Sequence, residues 1–220
     1  MGFRGDRLVG LALLAASVLA FGCYGPYRVR PDDSAGAGGL RPTRSDRDAG
    51  LVGIATGFDV KRYRVVAVGR LPVVDPTVRK ADERALADTM SAFFHTEMVR
   101  RLRESALFPR VVDLGETDYR PDGDPALEID GEITRFDEGS QTLRAIFGVY
   151  GGGAARVQAE TQITDMRSGQ VVVVTADRRQ ATMGVWGGAS PDHIHNALDD
   201  IARDLTKFLV RLSKGQVPTP

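Results

Sequence analysis

Cys23 is the only cysteine of the chain, and both its reactive thiol and its position in the sequence are informative. It follows Leu8 to Phe21, an almost wholly apolar run of about 14 residues, which Arg4 and Arg7 precede. Basic residues, a short apolar run and small residues at its exit are typical of a secretory signal peptide, and a bilayer span would need about 20 residues. A polar, glycine-rich tract follows Cys23, so the sequence offers no core in which this thiol would be buried.

The residues around this cysteine resemble a bacterial lipoprotein signal with its lipobox, here Ala20-Phe21-Gly22-Cys23. The resemblance implies cleavage between Gly22 and Cys23, acyl chains such as palmitate on Cys23, and a membrane as the partner of that lipid. Stable anchoring requires more than one acyl chain, which a lipoprotein cysteine carries. Tyr24 after the cysteine, in place of Asp, implies the outer membrane of a two-membrane bacterium, with the protein facing the periplasm. A soluble secreted protein that is cut elsewhere remains the alternative.

Other residues with possible chemistry give weaker patterns. Glu128, Asp130 and Glu132 alternate along one strand, and we interpret them as one solvated sheet face, because hard cations need ligands that converge from a curved loop. His193 and His195 are two residues apart near a helix start, whereas a metal pair on a helix needs a spacing of four. We therefore predict no metal site, no cofactor and no catalytic residues, and hence no enzyme.

Two glycine-rich stretches hold the aromatic residues that we select as a candidate partner or ligand surface. The first contains Phe147 and Tyr150 in FGVYGGG, and the second contains the only tryptophan, Trp186. No Lys-Ser or Lys-Thr pair follows the glycines, so a phosphate-binding loop is not indicated.

Composition and charge restrict the domain organisation. The chain has 220 residues with 29 basic and 29 acidic side chains, and this balance speaks against nucleic-acid binding. We predict a signal peptide at 1–22, a lipidated flexible tether at 23–58, one globular domain at 59–214 and a disordered tail at 215–220. The tether prediction rests on the polar, aperiodic composition of the segment, which would span roughly 30 Å as a coil and about 90 Å when stretched.

Hydrophobic periodicity predicts an α+β fold, an α/β sandwich. The expected elements follow the order β-α-β-β-β-β-α, with a single mixed, largely antiparallel sheet of about five strands packed by two long helices. Tyr63 to Val68 is the first strand, and a helix follows that starts at Pro76 or near Asp82 and ends near Ser105. Two long strands form a hairpin around Asp165 to Gly169, and the last helix begins at Ser190-Pro191-Asp192.

These elements, together with the lipobox, resemble the bacterial lipoprotein family catalogued as domain of unknown function 4410. The resemblance rests on four stretches: Tyr63 to Val68, Leu107 to Val111, Arg144 before the glycines, and the hairpin from Val157 to Val174. That family is similar in architecture to the N-terminal domain of TolB and to lipoproteins that activate peptidoglycan synthases. The resemblance implies a non-catalytic envelope lipoprotein that binds another envelope protein as an adaptor or assembly factor. The alternative is an auxiliary lipoprotein of an envelope transport system that binds a lipid or a small molecule.

Overall fold

The computed structural model describes residues 26–31, 34, 36–137, 155–181 and 191–218. Within these residues one mixed sheet of eight strands packs against two long helices. The strands are β1 (Tyr27–Val29), β2 (Arg44–Asp46), β3 (Gly50–Ile54), β4 (Val65–Val68), β5 (Arg110–Asp113), β6 (Ala126–Asp137), β7 (Ala155–Asp165) and β8 (Val171–Ala181). The helices are α1 (Ala81–Ser105) and α2 (Pro191–Ser213), and a short 3-10 helix spans Val60–Arg62. None of the helices in the described part of the chain has the length and apolarity needed to span a bilayer.

The strands lie in the order β2-β3-β8-β7-β6-β4-β5, and β1 also pairs with β8. Strand β4 runs parallel to both of its neighbours, β5 and β6, and the other pairs are antiparallel. Every residue of β4 is buried, which agrees with its apolar character on both faces.

The α+β class is confirmed, but the prediction of about five strands is wrong. Three additional strands, β1 to β3, precede β4 and change the element order at the start of the chain. They lie inside the segment predicted to be a flexible tether, so that prediction fails where this segment forms part of the sheet. Some of its polar residues form ion pairs with the rest of the domain, such as Arg28 with Asp177 and Asp46 with Arg211.

Asp46 shows how this polar segment folds. Its carboxylate accepts hydrogen bonds from the backbone N–H groups of Asp48 and Ala49, which closes the turn between β2 and β3. Arg211 of α2 donates to the same carboxylate at 2.5 and 2.7 Å. Burial alone would raise the pKa of Asp46, but these hydrogen bonds hold it below its usual value.

The main core lies between the helices and one face of the sheet. Phe94 and Met98 of α1 and Phe208 of α2 are fully buried there, against Ile129 and Ile133 of β6. A smaller apolar cluster covers the opposite face near β4 and comprises Val65, Ala67, Val112 and Ala126, with Leu114, Tyr119 and Met166 packed against it. Helix α1 begins at the later of the two predicted starts, where the Glu83 carboxylate accepts from the backbone N–H groups of Arg79 and Lys80.

Candidate functional site

The sheet face that is turned away from the helices carries a groove with a volume of about 580 Å³. Strands β6, β7 and β8 contribute to its lining. Ser34, Gly36 and Ala37 before β2, and Arg70 and Pro72 after β4, also line it. Among the residues that the structure describes, the groove is lined by four carboxylates, Glu128, Asp130, Glu132 and Glu160, and one basic residue, Arg70. Its charge is therefore predominantly negative, and we call it the acidic groove.

Strand alternation places these carboxylates on one face. Leu127, Ile129 and Ile133 of β6 are fully buried in the main core, so the residues between them point the other way. The β6–β7 register then sets Asp130 opposite Gln162 and Glu132 opposite Glu160. The sequence predicts the alternation, but only the register shows that a fourth carboxylate joins the group.

Glu160 is held by three hydrogen bonds from different parts of the chain. Its carboxylate accepts from the hydroxyl of Ser34 at 2.7 Å, the hydroxyl of Thr134 at 3.0 Å and the side-chain amide of Gln158 at 3.0 Å. Ser34 belongs to the connection between β1 and β2, so this contact fastens one wall of the groove to the sheet.

The acidic groove is not the fully solvated face that the sequence suggests. Glu132 is exposed, but Glu128 and Asp130 are only partly exposed. Burial raises the pKa of Glu128, and the neighbouring charge of Asp130 raises it further. Burial also raises the pKa of Asp130, although its hydrogen bond with Gln162 acts in the opposite direction. Because burial disfavours the charged form of Glu128 and Asp130, ionising these two carboxylates lowers the stability of the folded protein.

Two other polar clusters tie elements together. The Nδ1 atom of His95 lies 2.8 Å from the carbonyl oxygen of Gly69, and Nε2 lies 2.7 Å from Oδ1 of Asp113. Burial acts to raise the pKa of Asp113, but hydrogen bonds with His95 and the Gly115 N–H hold it below its usual value. This cluster joins α1 to the carboxyl ends of β4 and β5.

A second groove, of about 410 Å³, lies between α1, α2 and the β2–β3 turn. Its basic residues have acidic partners: Arg101 pairs with Asp199 at 2.5 Å, Arg203 with Asp200 at 2.5 Å and Lys207 with Asp204 at 3.1 Å. The Arg101–Asp199 pair joins α1 to α2, and the other two pairs lie within α2 at a spacing of three residues. Across the described residues no group of three or more His, Cys, Asp or Glu side chains is arranged to hold a metal ion.

The site residues selected from the sequence lie outside the described part of the chain. These are the cleavage and lipidation residues Gly22 and Cys23 and the aromatic residues Phe147, Tyr150 and Trp186. Of the histidines near the start of α2, His195 packs edge-on against Phe93, with ring centroids 4.6 Å apart. Sequence reasoning missed Ser34, Arg70 and Glu160 as groove residues, because only long-range pairing brings them together.

A family model for a domain of unknown function, DUF4410, matches residues 44–184, which is more than half of the chain. The chain belongs to the DUF4410 family. This confirms the resemblance found in the sequence. The matched span of this DUF4410 protein runs from the first residue of β2 past the end of β8, so it includes the strands that form the floor of the acidic groove.

The solved structures that match this DUF4410 protein share little sequence with it. The PelC dodecamer from Paraburkholderia phytofirmans is 15% identical with a TM-score of 0.43, and the match covers 70% of this chain and 98% of that one. Protein XCC0632 from Xanthomonas campestris is 13% identical with a TM-score of 0.44, and the match covers 74% and 92% of the two chains. No curated protein matches the chain.

Proposed function

We propose that this protein is a non-catalytic lipoprotein of the cell envelope, anchored through Cys23, and that its folded domain binds another envelope protein. The observation that carries the proposal is the apolar run from Leu8 to Phe21 that ends in the only cysteine. Tyr24 after that cysteine supports the outer membrane as the location, with the domain facing the periplasm.

The acidic groove is the surface that we assign to the partner. Glu128 and Asp130 are partly buried in the groove, and burial raises their pKa values, so keeping both charged lowers the stability of the fold. Proteins often retain destabilising residues at positions that serve function. Carboxylates on one face attract a segment of opposite charge and disfavour acidic partners. The partner that suits this chemistry is a protein segment with Lys or Arg side chains.

Photo-crosslinking in living cells tests this assignment. The full-length chain receives a photo-reactive amino acid at Glu132, which is exposed in the groove, or at Asp122, which is exposed in the loop before β6. We expect a discrete product with an envelope protein from position 132 and not from position 122. Glu128→Lys should abolish this product by reversing a charge in the groove, whereas Glu116→Lys, outside the groove, should leave it.

Identical products from positions 132 and 122, or a product that survives Glu128→Lys, would exclude the groove as the partner site. Loss of membrane association in Cys23→Ala is measured in parallel by detergent fractionation. The two readouts separate the anchor from the binding surface.

The size of the groove favours a second candidate function, an auxiliary lipoprotein that binds a small molecule. Its volume of about 580 Å³ is within the range of ligand pockets, about 300 to 1,000 Å³. The lining combines carboxylates with Ala37, Pro72 and Val174, so a polar or cationic ligand suits it better than an acyl chain.

Native mass spectrometry distinguishes this function from the first. A bound small molecule would appear as a mass shift in the wild-type protein and would disappear in Ala37→Trp, which fills the groove from its wall. A wild-type protein without any such shift would argue against the second function and leave the protein partner as the occupant.

A further inference from the structure

The anchoring cysteine lies very close in sequence to the folded domain. Only Tyr24, Gly25 and Pro26 separate Cys23 from Tyr27, the first residue of β1. A fully extended chain advances at most about 3.6 Å per residue, so the Cα atoms of Cys23 and Tyr27 lie within about 14 Å of each other. This limit is covalent and holds for any conformation of the intervening residues.

A link of this length is short compared with the domain. A folded chain of about 190 residues has a radius of gyration of about 16 Å, so its diameter is more than twice the length of the link. The anchored cysteine sits at the lipid surface, and the region around Tyr27 must therefore remain next to that surface. We infer that the end of the sheet where β1 begins rests on the membrane, an inference that depends on the proposed lipidation of Cys23.

Strand β1 is fixed to the sheet, so it cannot easily detach to lengthen the link. It pairs with β8 from Tyr27↔Gln180 to Val29↔Arg178. Arg28 donates to the carboxylate of Asp177 at 2.8 and 2.9 Å, and also to the backbone carbonyl oxygens of Arg47 and Asp48. Since Asp177 is only 2% exposed, detaching β1 would leave a buried carboxylate with one partner fewer.

The residues at this end have side chains that suit a lipid surface. Tyr27 is 44% exposed, and the β1–β8–β7 register places it in line with Gln180 and Arg156. Arg156 and Arg30 are also exposed. Tyrosine places its ring at the apolar boundary with its hydroxyl in water, and arginine is attracted by anionic headgroups.

Membrane contact at this end fixes the opposite end of the sheet away from the lipid. From Arg156 to Asp165, strand β7 rises about 30 Å, and the turn with Ser168 follows. The domain would therefore bind its partner close to the membrane and in one orientation. A domain on a long tether could instead bind a partner at any distance that the tether spans.

Fluorescence quenching by labelled lipids tests the orientation. Because Cys23 is the only cysteine and its thiol is occupied in the lipidated protein, a second cysteine can be labelled alone. The full lipidated chain carries a fluorophore at Arg156→Cys or, as the matched control, at Ser168→Cys, which is also exposed. Each protein is reconstituted in vesicles whose headgroups carry a quencher, and intact mass confirms the lipid on Cys23.

We expect loss of fluorescence at position 156 and retention at position 168. A flexible insertion of about 20 Gly and Ser residues after Gly25, which would add roughly 25 Å of reach, should reduce the difference. Equal quenching at the two positions, with the lipid in place, would overturn the inference and leave the lipoprotein proposal intact. An unmodified Cys23 would overturn both.

Discussion

The partly buried carboxylates of the acidic groove lead to a prediction at the scale of single residues. Burial and the charge of Asp130 raise the pKa of Glu128, so its uncharged form is favoured in the fold. Below the unfolded pKa of about 4.3, Glu128 is uncharged and its contribution to folding stability is fully present. This contribution is lost as the pH rises through the raised pKa of Glu128 in the folded protein, because the buried carboxylate then becomes charged. Glu128→Gln keeps an uncharged side chain, and we expect it to stabilise the protein at pH 7 by up to about 1 kcal/mol.

Urea unfolding of wild type and Glu128→Gln at pH 7 and at pH 4 measures this effect. The gain should shrink toward pH 4, where the wild-type carboxylate is largely protonated. Glu132→Gln is the matched control on the same strand, and because Glu132 is exposed the change should stay within about 0.5 kcal/mol. A destabilised Glu128→Gln at pH 7 would show that this carboxylate stabilises the fold.

Tyr63 gives a second prediction at the residue scale. Its hydroxyl donates to Oδ2 of Asp165 at 2.7 Å, and burial together with this bond raises the pKa of Tyr63 to about 12. The unfolded value is about 10, so the stability from this group is complete below pH 10 and is lost as the pH rises from about 10 to 12. Tyr63→Phe should cost about 1 kcal/mol at pH 7 and should lack this alkaline loss.

The measurement is the free energy of unfolding between pH 8 and 12. Tyr119→Phe is the control, because it keeps the ring that faces Arg110 and should retain the wild-type loss. If Tyr63→Phe and wild type lose stability in parallel above pH 10, the hydrogen bond to Asp165 does not make the predicted contribution.

At the scale of elements, one arginine joins the two sides of the main core. Arg179 of β8 is 6% exposed and donates at 2.8 Å both to Asp177 on its own strand and to Asp204 of α2. Removing one partner from a buried ion pair typically costs about 3 to 5 kcal/mol. Arg28 also contacts both carboxylates and offsets part of the loss, so we expect Arg179→Met to destabilise by about 3 kcal/mol.

Arg203→Met is the matched control for this prediction. Arg203 also pairs with Asp204 and Asp200, but its side chain is 36% exposed. Such a pair contributes about 0 to 1 kcal/mol. Equal losses of unfolding free energy in the two variants would show that burial does not set the strength of these pairs.

The elements that the sequence predicts are those with regular apolar spacing. Met90, Phe94 and Met98 recur at helical spacing, and the structure buries all three in α1. Strand β6 alternates, and its apolar side chains face the helices as expected. Strands β1 to β3 were missed because each is only three to five residues long, too short to show a period, and they lie in a polar, glycine-rich segment. Partners far away in sequence, such as Asp177 for Arg28, hold them in the sheet.

The acidic groove could be predicted only in part, for the same reason. Alternation alone places Glu128, Asp130 and Glu132 on one face. The raised pKa values, the fourth carboxylate and the wall at Ser34 depend on pairing between β6 and β7 and on the path of the chain between β1 and β2. No local pattern in the sequence encodes these contacts.

At the scale of the whole molecule, the sheet begins close to Cys23 in sequence, and this changes how far from the membrane a lipid anchor would let the domain move. The sequence predicts a tether that reaches tens of ångströms from the membrane. With β1 beginning at Tyr27, the same anchor would instead hold the domain on the lipid surface with one end of the sheet toward it. The partner of the acidic groove would then belong to the membrane or to the layer directly next to it.

The most direct test of the central claim is the intact mass of the mature protein, purified from its membrane, beside that of Cys23→Ala. The account predicts that the wild-type chain begins at Cys23, carries an added mass of lipid size and fractionates with detergent. The Cys23→Ala form should lack the lipid and the membrane association. A wild-type protein that retains residues 1–22, or that carries an unmodified Cys23 and is found in the soluble fraction, would contradict the anchor and every conclusion that depends on it.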